Sequence, residues 1–229
     1  MTVTKVILAT QSATTEQLLD PALRDALRRA GASAVQVNAP DPAFDAAMRL
    51  DAMATPLSGT VAVWGPVPAE ELLAAATSTG LSGPAWTVEE TVPLPGPDLA
   101  DGERTSAMAN LAFLRRPAEM PYEEWRERWL GNHTQVAIDT QDTFGYVQNR
   151  VLEPLGSAVD GDGQDVAAVV EELFHEAAAT DVHVFYGSGG DDAELNRRIT
   201  ELMASVATFG AADGLDLVPT ARYRWNLGA

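Results

Sequence analysis

The sequence predicts an α+β fold made of two successive βαββαβ units, and three observations predict it. Residues 104–229 alternate between buried-strand and helical patterns in the order strand, helix, strand, strand, helix, strand. Residues 1–95 repeat that order more faintly, sharing almost no residue identities with the second half. Between them, Pro93, Pro95, Gly96, Pro97 and Gly102 punctuate the stretch 89–103, since proline and glycine interrupt regular structure.

The first unit opens with an alternating strand near 5–10, within the run from Met1 to Leu8, and continues with a helix over 15–30. Strands at 34–37 and 60–64, a helix over 69–77 and a strand over 86–93 complete it. In the second unit the apolar run 106–114 reads as a buried strand that ends in Arg115-Arg116-Pro117. Pro121 suits the first turn of a helix, and Glu123 and Glu124 favour its N-terminal end, so a helix is expected from Pro121 to about Thr140. Strands follow at 145–151 and 166–174, separated by a polar, glycine-rich loop over 156–164. Beyond His175 the pattern is helical in two pieces split by Gly187-Ser188-Gly189-Gly190. Leu195, Ile199, Leu202, Met203 and Val206 recur at helical spacing in the second piece, before a closing strand at 217–225.

A chain of 229 residues, 46% hydrophobic and 21% charged, can bury a real core without covalent staples. It has no cysteine, which removes disulfides, thiolate metal sites, iron–sulfur clusters and cysteine nucleophiles. Its 33 acidic against 15 basic residues give a formal charge of −18, the wrong sign for a phosphate backbone or an anionic membrane. The N-terminal run lacks the features of a signal peptide, and no later segment approaches the roughly 18 apolar residues of a membrane span. A cytoplasmic location is therefore expected, with neither nucleic acid nor membrane as partner. No G-x-S-x-G elbow, phosphate-binding loop or dinucleotide fingerprint is present, and His175 and His183 lack a third ligand at metal spacing. Neither cofactor nor metal is expected.

The run Phe113-Leu114-Arg115-Arg116-Pro117 through Pro121-Tyr122-Glu123-Glu124-Trp125 to Trp129, followed by Leu130-Gly131-Asn132-His133, resembles the signature of the EthD family. A second stretch, Tyr146-Val147-Gln148-Asn149-Arg150-Val151, matches at the right distance. The resemblance covers residues 104–227 well and the first half by element order alone. It implies ferredoxin-like units of the dimeric α+β barrel superfamily, here in tandem, so that one chain supplies both halves of a barrel. Relatives include an accessory protein of ether degradation and enzymes that dehydrate or decarboxylate aromatic polyketides. The wider superfamily adds cyclases, small monooxygenases, lactone isomerases and haem-binding enzymes. The chain departs from the family where Thr134-Gln135-Val136 stands in place of a proline after the histidine, and its first half has no histidine.

Trp125, Trp129 and His133 are spaced to line one side of the expected helix. An imidazole there titrates near neutral pH and suits removal of a proton beside a carbonyl, so His133 is the leading catalytic candidate, with Tyr146 as its partner. Asn132, Trp129, Arg115, Arg116, Trp64 and Phe144 are candidates for holding substrate. Arg115 or Arg116 would grip an oxygen unless a structural ion pair to Glu119 or Glu123 takes it, and Trp64, Trp86 and Trp225 would wall an aromatic ligand unless they are core. Glu171 and Glu172 end a strand on opposite faces, and whichever is buried would have a raised pKa. The expected activity is cofactor-independent proton transfer on a hydrophobic aromatic or polyketide-like carbonyl compound, giving cyclisation, dehydration, decarboxylation or isomerisation. The alternatives are a non-catalytic binding or accessory protein, or a haem-binding barrel with His133 as axial ligand. A homodimer is compatible with either.

Overall fold

A computed structural model describes residues 3–98, 100–157, 161 and 163–228. Met1 and Thr2 of the first expected strand, and residues 158–160 and 162 of the expected loop over 156–164, lie outside the described residues. Among the described residues eight strands form the frame: β1 (Thr4–Gln11), β2 (Ala34–Ala39), β3 (Leu57–Gly65), β4 (Pro84–Leu94), β5 (Met108–Arg115), β6 (Gly145–Gly156), β7 (Val166–Phe174) and β8 (Asp216–Asn226). They close into one antiparallel barrel in the order β1-β3-β2-β8-β5-β7-β6-β4. Two pairings join the halves, β2 with β8 and β4 with β6. Strand β4 outlasts its expected end because Pro93, which has no N–H to give, falls where the register to β6 slips between Thr91 and Leu94.

Among the described residues seven α-helices lie against the barrel: α1 (Thr15–Leu19), α2 (Pro21–Arg29), α3 (Ala69–Thr77), α4 (Tyr122–Arg126), α5 (Thr134–Thr140), α6 (Val182–Phe185) and α7 (Asp192–Phe209). The single helix expected over 15–30 is two. Asp20 ends α1 in an extended conformation and caps α2 by accepting from Ala22 N at 2.8 Å, with Pro21 in the first turn. The helix expected from Pro121 to Thr140 is continuous but not uniform, since Glu127–His133 forms a π-helical turn between α4 and α5. The long α7 starts on the Asp191 side chain and stops at Gly210, whose φ of 69° is the left-handed cap that favours glycine.

Alternation along the strands sorts their side chains into two environments. One set, with Ile7, Trp86, Leu111, Phe113 and Val218, comes from both halves and fills the barrel interior. The other faces the helices. In the first half Val6, Leu8, Val35, Val37, Val61 and Val63 meet Leu18, Leu23, Leu27 and Leu72. In the second, Ala112, Leu114, Tyr146 and Val170 meet Trp125, Trp129, Leu202 and Phe209. No helix among the described residues is long and apolar enough to cross a membrane.

Candidate functional site

The helix-facing surface of the second half does not close completely. A cavity of about 290 Å³ lies between β5, β7, β6 and β8 on one side and α7 with the π-helical turn on the other, near the lower end of the range for small-molecule sites. Its walls are largely apolar, with Trp129, Leu202, Val206 and Phe209 from the helices and Ala112, Val170 and Leu217 from the sheet. Met48 and Leu50, from the segment between β2 and β3, line it together with Met203. These three side chains are exposed despite being apolar, which marks the entrance. A second cavity of about 360 Å³ shares Met48, Asn110, Phe185 and Tyr186 with the first, so the two form one continuous cleft.

Strand register places the polar groups. Asn110 of β5 pairs with Glu172 of β7, and Glu172 pairs with Tyr146 of β6, so the three stand in a row across neighbouring strands. All three are buried and line the cavity. Among the described residues Glu172 Oε1, Asn110 Oδ1 and Trp129 Nε1 have no hydrogen-bond partner, nor does Trp125 Nε1 behind them. Burial without a donor pushes the Glu172 carboxyl up to about 8. Burial first, and the neighbouring Glu172 second, push the Tyr146 phenol well above its ordinary value, so it stays protonated.

His133 reaches the same cavity from the end of the π-helical turn. Its Nδ1 is 3.0 Å from Ser205 Oγ on α7, and its ring packs on Phe209 with centroids 4.7 Å apart. Burial lowers its pKa to about 4, so the imidazole is uncharged at neutral pH. The group whose titration falls near neutrality is therefore Glu172, not the histidine expected to fill that role.

The structure brings His133, Tyr146 and Trp129 together and leaves the other candidates elsewhere. Asn132 precedes His133 on the exposed side of the turn. Arg115 donates to Asp165 and, at 2.8 Å, to the fully buried Asp216, whose Oδ1 also accepts from Ala52 N and Met53 N. That is a structural pair, though with neither Glu119 nor Glu123. Arg116 Nη1 donates to the backbone carbonyls of Pro117 and Met120 and so closes its own loop. Phe144 packs on His175 with centroids 5.1 Å apart, outside the cavity. Trp64 faces a different space at one end of the barrel, and Trp86 is core, its Nε1 donating to Gly163 O. Asn110, which lines the cavity, and Ser205, which holds His133 beside it, were not anticipated. The signal for Asn110 was present, as one amide inside the otherwise apolar run 106–114.

No family model matches the sequence, and no curated protein matches it either. Among solved structures, the chain resembles an anthrone oxidase-like protein with a TM-score of 0.56 at 11% identity, over 99% of this chain and 94% of that one. It also resembles a Lactobacillus acidophilus protein provisionally assigned as a monooxygenase, with a TM-score of 0.47 at 10% identity, over 99% and 97% of the two chains. At such identities the first likeness carries the architecture: an α+β chain whose antiparallel strands close a barrel under a layer of helices.

Proposed function

We propose that this chain is an enzyme that moves protons, without a bound cofactor, on a hydrophobic aromatic or polyketide-like carbonyl compound. The observation that carries the reading is the buried carboxyl of Glu172, whose Oε1 has no partner among the described residues, between Asn110 and Tyr146 in an apolar cleft that an unpartnered indole N–H also lines. A buried polar group without a partner costs roughly 1–3 kcal/mol, and several in one cavity are accounted for if a ligand's polar atoms complete them. In its ionised form Glu172 takes a proton from the carbon beside a substrate carbonyl. The resulting enolate oxygen accepts hydrogen bonds from the Tyr146 hydroxyl and Trp129 Nε1–H, neutral donors from the sheet and helix sides of the cavity. Protonated Glu172 then returns the proton at another atom, which gives isomerisation, or to a leaving hydroxyl, which gives dehydration. His133 contributes as an uncharged ring that fixes the π-helical turn to Ser205.

The same reading extends to architecture. Residues 1–95 have the strand order β4-β1-β3-β2 and residues 104–229 the order β8-β5-β7-β6. Counted within each half, both are fourth, first, third, second, which supports two ferredoxin-like units in tandem, the second EthD-like.

The test is solvent deuterium exchange, followed by NMR, at the carbon beside the carbonyl of enolisable aromatic ketones such as 2-tetralone and anthrone. Wild type should accelerate exchange, and Glu172→Gln should lose roughly 10²–10⁴-fold, the usual worth of a positioned acid or base. Ketone binding detected by tryptophan fluorescence with no acceleration in wild type would overturn the enzyme reading and leave a binding or accessory protein.

A further inference from the structure

The barrel interior holds a cavity of its own, of about 380 Å³, at the end where the linker after β4 passes over the strands. It is separate from the cleft described above and polar where that one is apolar. Lys5, from β1, lines it and is buried. Its Nζ donates to Glu90 Oε2 and to Asn149 Oδ1, both at 2.5 Å, and lies 4.5 Å from the centre of the Trp64 ring. Glu171, on the inward face of β7, is held by Gln36 Nε2 and Asn38 Nδ2. Arg222 and Arg224, two residues apart on β8, complete the wall. Arg222 donates to Thr105 Oγ1, and Arg224 stacks over Trp64 at 5.0 Å. Among the described residues neither arginine is in an ion pair with a carboxylate.

Lys5 is the only lysine in the chain, whereas arginine occupies the other 14 basic positions. For a purely structural ion pair arginine is the better residue, because its planar fork binds a carboxylate bidentately and it keeps its charge. Lysine offers what arginine lacks, an amine that becomes neutral and nucleophilic when desolvated. Burial lowers the Lys5 pKa from its ordinary value and outweighs the opposing pull of Glu90 and Glu171, and Arg224 adds to the lowering. The lysine has the environment of a reactive amine and an open space in front of it.

We propose that Lys5 is the amine of a second site, condensing with the carbonyl of a small acidic aldehyde or ketone of the 2-oxo acid type, whose carboxylate lies against Arg222 and Arg224. Glu90 takes one proton from the ammonium, and the freed amine adds to the carbonyl carbon to form a C–N bond. Glu90 returns that proton to the oxygen, giving a carbinolamine. Loss of this hydroxyl as water, with a proton from nitrogen, leaves a C=N bond. One water is released and no electrons are gained or lost.

The test uses the full chain, glyoxylate and sodium cyanoborohydride at pH 7, with peptide mapping by mass spectrometry. The only competing amine is the N-terminal one. An unperturbed lysine, with a pKa near 10.4 against about 8 for an α-amine, would lag the N-terminus by roughly 300-fold. The proposal expects Lys5 to be carboxymethylated at least as fast as the N-terminus. In the Arg222→Gln/Arg224→Gln variant, Lys5 labelling by glyoxylate should fall about tenfold, the scale of a lost charge-assisted contact, while labelling by propionaldehyde persists and shows that the barrel is intact. Lys5 lagging the N-terminus would overturn the amine site. Equal glyoxylate labelling in the double variant would overturn the acidic-ligand assignment.

Discussion

Glu172→Gln makes the central claim about the pocket measurable without knowing the substrate. In the folded chain burial holds the carboxyl near 8 against an ordinary 4.5. Between those values the folded state keeps a proton that the unfolded state has lost, so stability is fully present below 4.5 and is lost as pH rises toward 8. At about 1.4 kcal/mol per pH unit, the loss sums to about 5 kcal/mol. His133 acts in the opposite sense: its folded value of about 4 lies below the ordinary 6.5, so its contribution, about 3 kcal/mol, is present above 6.5 and is lost as pH falls to 4. The two trends partly cancel in wild type, which is why the difference between variant and wild type is the informative curve. Urea unfolding followed by tryptophan fluorescence at pH 5 to 9 supplies it. The variant should gain on wild type by about 1.4 kcal/mol per pH unit up to pH 8 and then level off. The slope is the diagnostic quantity, because any fixed cost of placing an amide at 172 shifts the whole curve equally. A difference curve flat to within about 1 kcal/mol from pH 5 to 8 would mean that the carboxyl has water or a donor beside it in solution, and the catalytic reading would lose its basis.

The remaining expectations concern the surrounding residues. If Glu172 is the base, ketone exchange by wild type should rise with pH to a plateau near 8, a limb that Glu172→Gln lacks; a pH-independent rate would point to another group. Trp129→Ala should cost about 3–5 kcal/mol in urea unfolding, since the indole is fully buried between helix and sheet. Arg115→Ala should cost about 3 kcal/mol by stranding the buried Asp216 while ketone affinity, read by fluorescence titration, stays unchanged. His133→Ala should cost about 1–3 kcal/mol by leaving Ser205 Oγ unpaired, and its exchange rate should fall by no more than about tenfold, less than a general base is worth. A loss as deep as that of Glu172→Gln would return the proton-handling role to the histidine.

What the sequence reveals and what it hides divide along a physical line. The strand Val166–Phe174 was legible to the residue, because its β-branched run is buried on both faces and bounded by polar segments. Helix α7 was legible from its 3.6-residue periodicity. The break at Asp20–Pro21 was written in the sequence as a capping residue before a proline, but the apolar spacing continued across it. The π-helical turn at Glu127–His133 had no local signature, because it depends on how Trp125 and Trp129 seat against α7 and the sheet. Barrel closure through β2–β8 and β4–β6 is a pairing between segments far apart in sequence, which no local pattern encodes. The expected ion pair of Arg115 forms with Asp165 and Asp216 rather than Glu119 or Glu123 for a related reason: the register between β5 and β7 shifts between Leu114 and Arg115, so simple alternation does not report its direction.

The two halves also show why, among the described residues, the space between sheet and helices is filled in the first and opens into a cleft in the second. On the helix-facing side of the first half, β1, β2 and β3 present Val6, Leu8, Val35, Val37, Val61 and Val63, and helix leucines fill the space against them. The corresponding strands of the second half present Asn110, Ala112, Tyr146, Gln148, Val170 and Glu172. Ala112 adds little bulk against the helices, and Asn110 and Glu172 are polar groups that apolar helix side chains cannot satisfy, so the layers stay apart over that row. Strand β7 then separates two cavities with consecutive glutamates. Glu171 turns inward to amide donors from β2, whereas Glu172 turns outward to a wall that leaves one of its oxygens unpartnered. A structural carboxyl acquires its donors from the fold, as Glu171 does. A carboxyl with an oxygen left without them, beside a tyrosine in an apolar cleft open to solvent, is where the proposed reading places the substrate.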